Sequence, residues 1–106
     1  MNQAVKISLI GKSYTTNSIG VTVVTETKTD VFATVYSVSQ TEFFRAGQEG
    51  LKPAAVYAVR SMEYDGQDEI EANSVRYSIY RTFVRSDGRT ELYVNRRKGT
   101  NDIIST

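Results

Sequence analysis

The sequence predicts a mainly β domain, a small barrel or rolled sheet carrying one short helix. Three observations lead there. Apolar and polar residues alternate with a period of two in several short stretches, as Val5, Ile7 and Leu9 do against Lys6 and Ser8. β-branched and aromatic side chains dominate those stretches and suit a pleated, half-buried surface. One segment, starting at Ser39, breaks the alternation with a helix-start signature. At 106 residues the chain has room for one core, so a single domain over 1–106 is expected.

Taken in order, the first strand runs through Val5, Ile7 and Leu9 and ends near Gly11, and the polar run 12–18 reads as a loop. A second strand alternates Val21, Val23 and Thr25 with Thr22, Val24 and Glu26, and a turn is expected at 28–30. The third, 31–38, has apolar residues on both faces and so reads as covered on both sides. Ser39-Gln40-Thr41-Glu42 then forms a capping box: the Ser39 hydroxyl accepts from the Glu42 amide while the Glu42 carboxylate reaches back to the Ser39 amide. Val38 and Phe43 stand at the staple positions around it. A helix over 40–48 follows, with Gly47 or Gly50 to end it, and Pro53 forces Lys52 into extended geometry. Residues 54–64 and 67–72 read as a hairpin turned at Asp65-Gly66. A second hairpin joins 75–84 to 90–98 through a two-residue Asp87-Gly88 turn. The polar end, 99–106, is expected to fray or to dock only in an assembly.

Composition narrows the chemistry. With neither Cys nor His, the chain lacks thiolate and imidazole nucleophiles, bases and metal ligands, which leaves carboxylates, Lys and Tyr. No dinucleotide-binding, phosphate-loop, nucleophile-elbow or zinc-protease motif occurs, and the acidic residues at 65–71 lack calcium-loop spacing. No catalytic, cofactor-binding or metal-binding residue is therefore expected. No stretch is long and apolar enough to span a membrane, and Met1 to Ile10 does not read as a signal peptide, so a soluble chain made in a reducing cytoplasm is expected.

The net charge of +1 is too small for bulk attraction to nucleic acid, but charge is unevenly placed. Glu63, Asp65, Asp68, Glu69 and Glu71 stand against Arg60 alone. Arg76, Arg81, Arg85, Arg89, Arg96, Arg97 and Lys98 follow against Asp87 and Glu91. Either these blocks are solvated faces of neighbouring strands paired across a sheet, or they meet between adjacent subunits. Tyr77, Tyr80, Phe83 and Tyr93 among the arginines keep open a barrel that stacks single-stranded nucleic acid. Their simpler reading is core and barrel rim.

The run 31–53, VFATVYSVSQTEFFRAGQEGLKP, resembles the central signature of the phage head-tail adaptor, or head-closure, proteins of tailed siphophages and prophages. In that family a strand enters a short Ser-x-x-Glu-Phe helix and leaves by a Gly-Leu-Lys-Pro exit. Glu63-Tyr64-Asp65-Gly66, Glu69-Ile70-Glu71, the stretch beginning Arg76-Tyr77-Ser78, and Glu91-Leu92 fall where the family places them. Ala54, where an acidic residue is expected after Pro53, and Asn73-Ser74, in place of a Gly turn, depart from the pattern.

The resemblance implies a small antiparallel β-barrel with one short α-helix and a long loop. It implies a structural virion protein of the phage neck, made in the host cytoplasm, that needs no cofactor and is not an enzyme. Copies form a ring beneath the portal or adaptor, close the DNA-filled head and present the surface for the tail. The tail terminator tier below is the near alternative. Contacts with neighbours are expected at Glu42, Phe43, Phe44, Arg45, Gln48, Leu51 and Lys52. The charge blocks add Asp68, Glu69 and Glu71 on one side and Arg96, Arg97 and Lys98 on the other, the basic group also being placed to touch packaged DNA in the channel.

Overall fold

The computed structural model describes residues 3–96. It is a closed antiparallel barrel of β1 (Gln3–Thr16), β2 (Thr22–Tyr36), β3 (Pro53–Arg60), β4 (Glu69–Ala72), β5 (Val75–Val84) and β6 (Arg89–Arg96), in the order β1-β2-β3-β6-β5-β4. One helix, α1 (Gln40–Gly47), lies between β2 and β3, so the mainly β class, the small antiparallel barrel and the single short helix are as expected. Alternation supplies the core. Ile7 and Leu9 of β1, Val31 and Ala33 of β2, Tyr57 and Val59 of β3, Ile70 and Ala72 of β4, and Leu92 and Val94 of β6 all point inward and are buried.

The β1 and β2 strands are much longer than their neighbours. They pair without a break from Gln3↔Val35 to Thr16↔Thr22, yet β1 meets β4 only over Ser8–Ile10 and β2 meets β3 only over Thr34–Tyr36. The remainder is a two-stranded arm leaving the barrel. Its tip is built by Asn17, whose Oδ1 accepts from the amides of Ile19 (3.1 Å) and Val21 (3.0 Å), and by Gly20 at φ +85°.

The arm overturns two expectations. Residues 12–16 are strand, not loop, and no turn interrupts 28–30. The charged residues stay in the ladder there because each has a partner, Lys12 at Glu69 (3.3 Å) among them. Asp30 accepts from the Ser8 hydroxyl (2.7 Å) and faces Lys6 (3.5 Å), while Lys28 reaches Glu71 (2.9 Å).

The expected hairpin of 54–64 with 67–72 does not form either. β3 lies between β2 and β6, whereas β4 lies between β1 and β5. The strand ends at Arg60 because Ser61 is held across the barrel end, its amide donating to the Gly88 carbonyl (2.9 Å) and its hydroxyl meeting that of Thr90 (2.7 Å). A 3-10 turn, Ser61–Glu63, starts the crossing to β4. The β4–β5 turn is Asn73-Ser74, both left-handed at φ 52° and 64°, the pattern that matches the twist of a tight hairpin. The β5–β6 hairpin is as expected, with a loop one residue longer than the Asp-Gly signal suggests. The Arg85 amide donates to the Arg89 carbonyl (2.8 Å) around Ser86, Asp87 and Gly88, with Gly88 at φ +85°.

Candidate functional site

The helix is the one α-helix among the described residues, and its chemistry centres on Glu42. Ser39 caps it, its hydroxyl accepting from the Glu42 amide at 3.1 Å. At the other end the Gly50 amide donates to Gly47 and the Leu51 amide to Ala46, each at 3.0 Å, with Gly50 at φ +81°. That is the Schellman ending, so Gly50 rather than Gly47 stops the helix. Ala46 is buried where the helix packs against β3.

The second half of the capping box is absent, because the Glu42 carboxylate has stronger donors in the barrel wall. Its Oε2 accepts from the Tyr80 hydroxyl (2.7 Å) and Arg45 (3.0 Å), and its Oε1 from Arg81 (2.9 Å). Arg81 in turn lies 4.0 Å above the ring of Tyr93, which meets Tyr80 edge-on. Burial works to raise the Glu42 pKa, but the hydrogen bonds from Arg45, Tyr80 and Arg81 prevail and hold it at about 2. Burial, reinforced by that carboxylate, pushes the Tyr80 phenol above its ordinary range. The network is a clamp fixing α1 on β5 and β6.

With the helix so fixed, Phe43 and Phe44 stand in solvent at 51% and 66% exposure. Gln48 and Lys52 are exposed beside them, Leu51 is half-buried, and Arg45 is tied to Glu42 and to Glu49 (3.4 Å). The segment thus divides into an anchor, Glu42 and Ala46, and an outward apolar face. At the expected staple positions Val38 is half-buried and Phe43 is exposed.

The charge blocks are largely satisfied inside the chain. Glu69, buried although charged, pairs with Arg76 (2.9 Å) and Lys12 (3.3 Å); Glu71 pairs with Lys28 (2.9 Å), and Arg76 also meets Glu26 (3.3 Å). These bonds brace the root of the arm against β4 and β5. Asp68 and Arg96 are exposed, and Arg97 and Lys98 lie outside the described residues. The tyrosines among the arginines are engaged too. Tyr80 donates to Glu42, Tyr93 donates to Glu91 (2.7 Å) and carries Arg81 over its ring, and Tyr77 packs on Tyr57, whereas Phe83 is exposed.

Two features escape the sequence reading. Arm residues Tyr14, Ile19, Val21, Val23 and Val24 are exposed, at 42–80%; the available signal was the lack of any charged residue across 13–25. At the barrel end, Phe32, Arg60, Glu63 and Arg89 line a cavity of about 270 Å³. Arg60 and Arg89 are direct cross-strand partners, a like-charge pairing softened by the Arg89 bond to Thr34 (3.0 Å).

The fold and site define a class: a closed six-stranded antiparallel barrel with a clamped external helix and a projecting hairpin arm. No family model, curated protein or solved structure matches the chain.

Proposed function

We propose that the protein is a structural subunit of the neck of a tailed bacteriophage. One copy sits in a ring beneath the portal, closes the DNA-filled head and carries the attachment surface for the tail. The carrying observation is the segment 31–53. The residues that resemble the head-closure signature fold as one unit of strand, capped helix and Schellman exit, and Glu42 fixes that unit so that Phe43 and Phe44 face outward. Two exposed phenylalanines on a helix held this firmly suit recognition of another protein, since aromatic side chains anchor interfaces. The ring is a contact among identical copies. Portal or adaptor above and tail terminator below are its further partners.

The test is genetic and visual. A phage bearing an amber codon in this gene should yield tail-less heads that lose their DNA, alongside tails of normal length, and purified protein should restore joining in extracts. Stable filled heads with overlong tails would move the protein to the terminator tier. Normal virions would refute the reading.

A further inference from the structure

The arm is built without the protections that free β edges ordinarily carry. Exposed edges are guarded by lysines, proline, bulges or inward charges, because an unpaired ladder is a template for another strand. The root of the arm has such guards in Lys12, Glu26 and Lys28, each held in an ion pair with the barrel. Beyond them, residues 13–25 contain no Asp, Glu, Lys, Arg or Pro, and the register runs through without a bulge. Tyr14 stands opposite Val24 on one face and Thr15 opposite Val23 on the other, and all four are exposed. A lone two-stranded ribbon is marginal in water, and this one is uncharged on both faces, exposes Tyr14, Val21, Val23 and Val24, and is open on both edges. Such a segment is stable when something covers it.

The same chain offers a matching surface that its own ladder leaves open. β5 is joined to β4 only as far as Ser78, and the Ile79 amide donates to the Asp68 carbonyl (2.8 Å). From there to Val84 that edge of β5 makes no further backbone hydrogen bond among the described residues. Thr82, Phe83 and Val84 are exposed in succession, with Phe83 at 52% and Val84 at 68%. The charges beside them are taken up within the chain, Arg81 by Glu42 (2.9 Å) and Arg85 by Asp87 (2.7 Å). An uncharged strand therefore meets no uncompensated charge there, whereas a strongly charged partner would find nothing to hold on the arm.

We infer that the distal arm of one copy docks on the β5 edge of a second copy, the free edge of β2 extending that copy's sheet at Thr82–Val84. The arm and its receiver are different surfaces, so the contact is head-to-tail and can be handed from copy to copy. The arm supplies about half of the roughly 20–30 residues a side used by a standard interface. Each contact is thus weak alone and gains from ring closure. The inference needs only a second copy; it rests on the neck reading solely for the closed ring.

Complementation of two surface variants tests it. Val23→Lys alters the arm and Phe83→Lys the receiver; both sites are exposed, and unchanged circular dichroism and melting confirm the fold. In sedimentation at millimolar concentration the wild type should associate, and each variant alone should remain monomeric. Their equimolar mixture should form dimers and stop there, because one intact arm meets one intact receiver. A Val23→Cys, Phe83→Cys double variant, in a chain with no other cysteine, should form disulfide ladders beyond the dimer. Wild-type association surviving both lysine changes would overturn the arm contact while leaving the ring standing. Complementing dimers with a wild type that makes only open chains would keep the contact and remove the ring. Dimers abolished by Val23→Lys but not by Phe83→Lys would show twofold arm-to-arm pairing and overturn the inference, as would a monomeric wild type that gives no crosslink.

Discussion

Removing the charge of Glu42 measures how firmly the helix is held. In Glu42→Gln the Tyr80 hydroxyl keeps an acceptor, whereas Arg45 and Arg81 lose their carboxylate. A carboxyl held at about 2 against an ordinary 4.5 corresponds to at most about 3.4 kcal/mol, at about 1.36 kcal/mol per pKa unit. The two arginine side chains remain 43% and 38% exposed, so water replaces part of what they lose. That lowers the expected cost to about 2 kcal/mol, below the penalty for breaking a fully buried pair. For a domain of this size the melting temperature should fall by roughly 8–16 °C. The assay is urea unfolding at pH 7, repeated in steps down to pH 2. Because the folded-state pKa lies below the unfolded one, the charge stabilises the fold in full above about pH 4.5, and the benefit disappears as pH falls toward 2. The gap between wild type and variant should close over that window. A loss below about 0.5 kcal/mol at pH 7, or a gap unchanged at pH 2, would refute the clamp.

Ser39→Ala removes the hydroxyl that accepts from the Glu42 amide and should cost about 0.5–2 kcal/mol in urea unfolding; no change would mean that the clamp alone sets the helix start. Ser74→Gly should raise stability by about 0.5–1 kcal/mol, since a side chain at φ 64° is strained where glycine is not. A destabilised variant would show that the Ser74 side chain contributes more than its backbone strain costs.

Most of the barrel was legible in the sequence because burial imposes a period of two. Ile7 and Leu9, alternating with Lys6 and Ser8, are legible as inward-facing and are inward-facing. The stretch 31–38, expected to be covered on both faces, buries Val31 and Ala33 but leaves Phe32 exposed on the other face. The helix was legible from Ser39 and Glu42, but the use of Glu42 was not, because its donors Tyr80 and Arg81 come from a strand far along the chain. Pairing of 67–72 failed for a related reason: nearness in sequence favours a hairpin with 54–64, while closure of the barrel places β4 between β1 and β5. The arm was missed because Lys12, Lys28 and Asp30 have loop-like composition, and only their cross-strand and barrel partners show that they belong to strands. Phe43 and Phe44 could be singled out as more apolar surface than a short helix needs, and both are exposed.

The acidic and basic blocks admit two readings from sequence, and the geometry makes the choice testable residue by residue. Glu69 sits 7% exposed between Lys12 and Arg76 of its own chain. Glu69→Lys would therefore place a third cation among two others in a buried site, and the folded monomer should lose about 3–5 kcal/mol before any assembly is considered. Asp68 and Arg96 are exposed, so Asp68→Lys and Arg96→Glu should change monomer stability by less than about 0.5 kcal/mol. A defect in association that appears in either of them is then a defect between subunits, because like charges set against each other across an interface are strongly unfavourable. Urea unfolding and sedimentation on the three variants separate the effects. A Glu69→Lys chain that unfolds like the wild type yet fails to associate would show that the acidic block acts between copies, and that the bracing of the arm root is secondary.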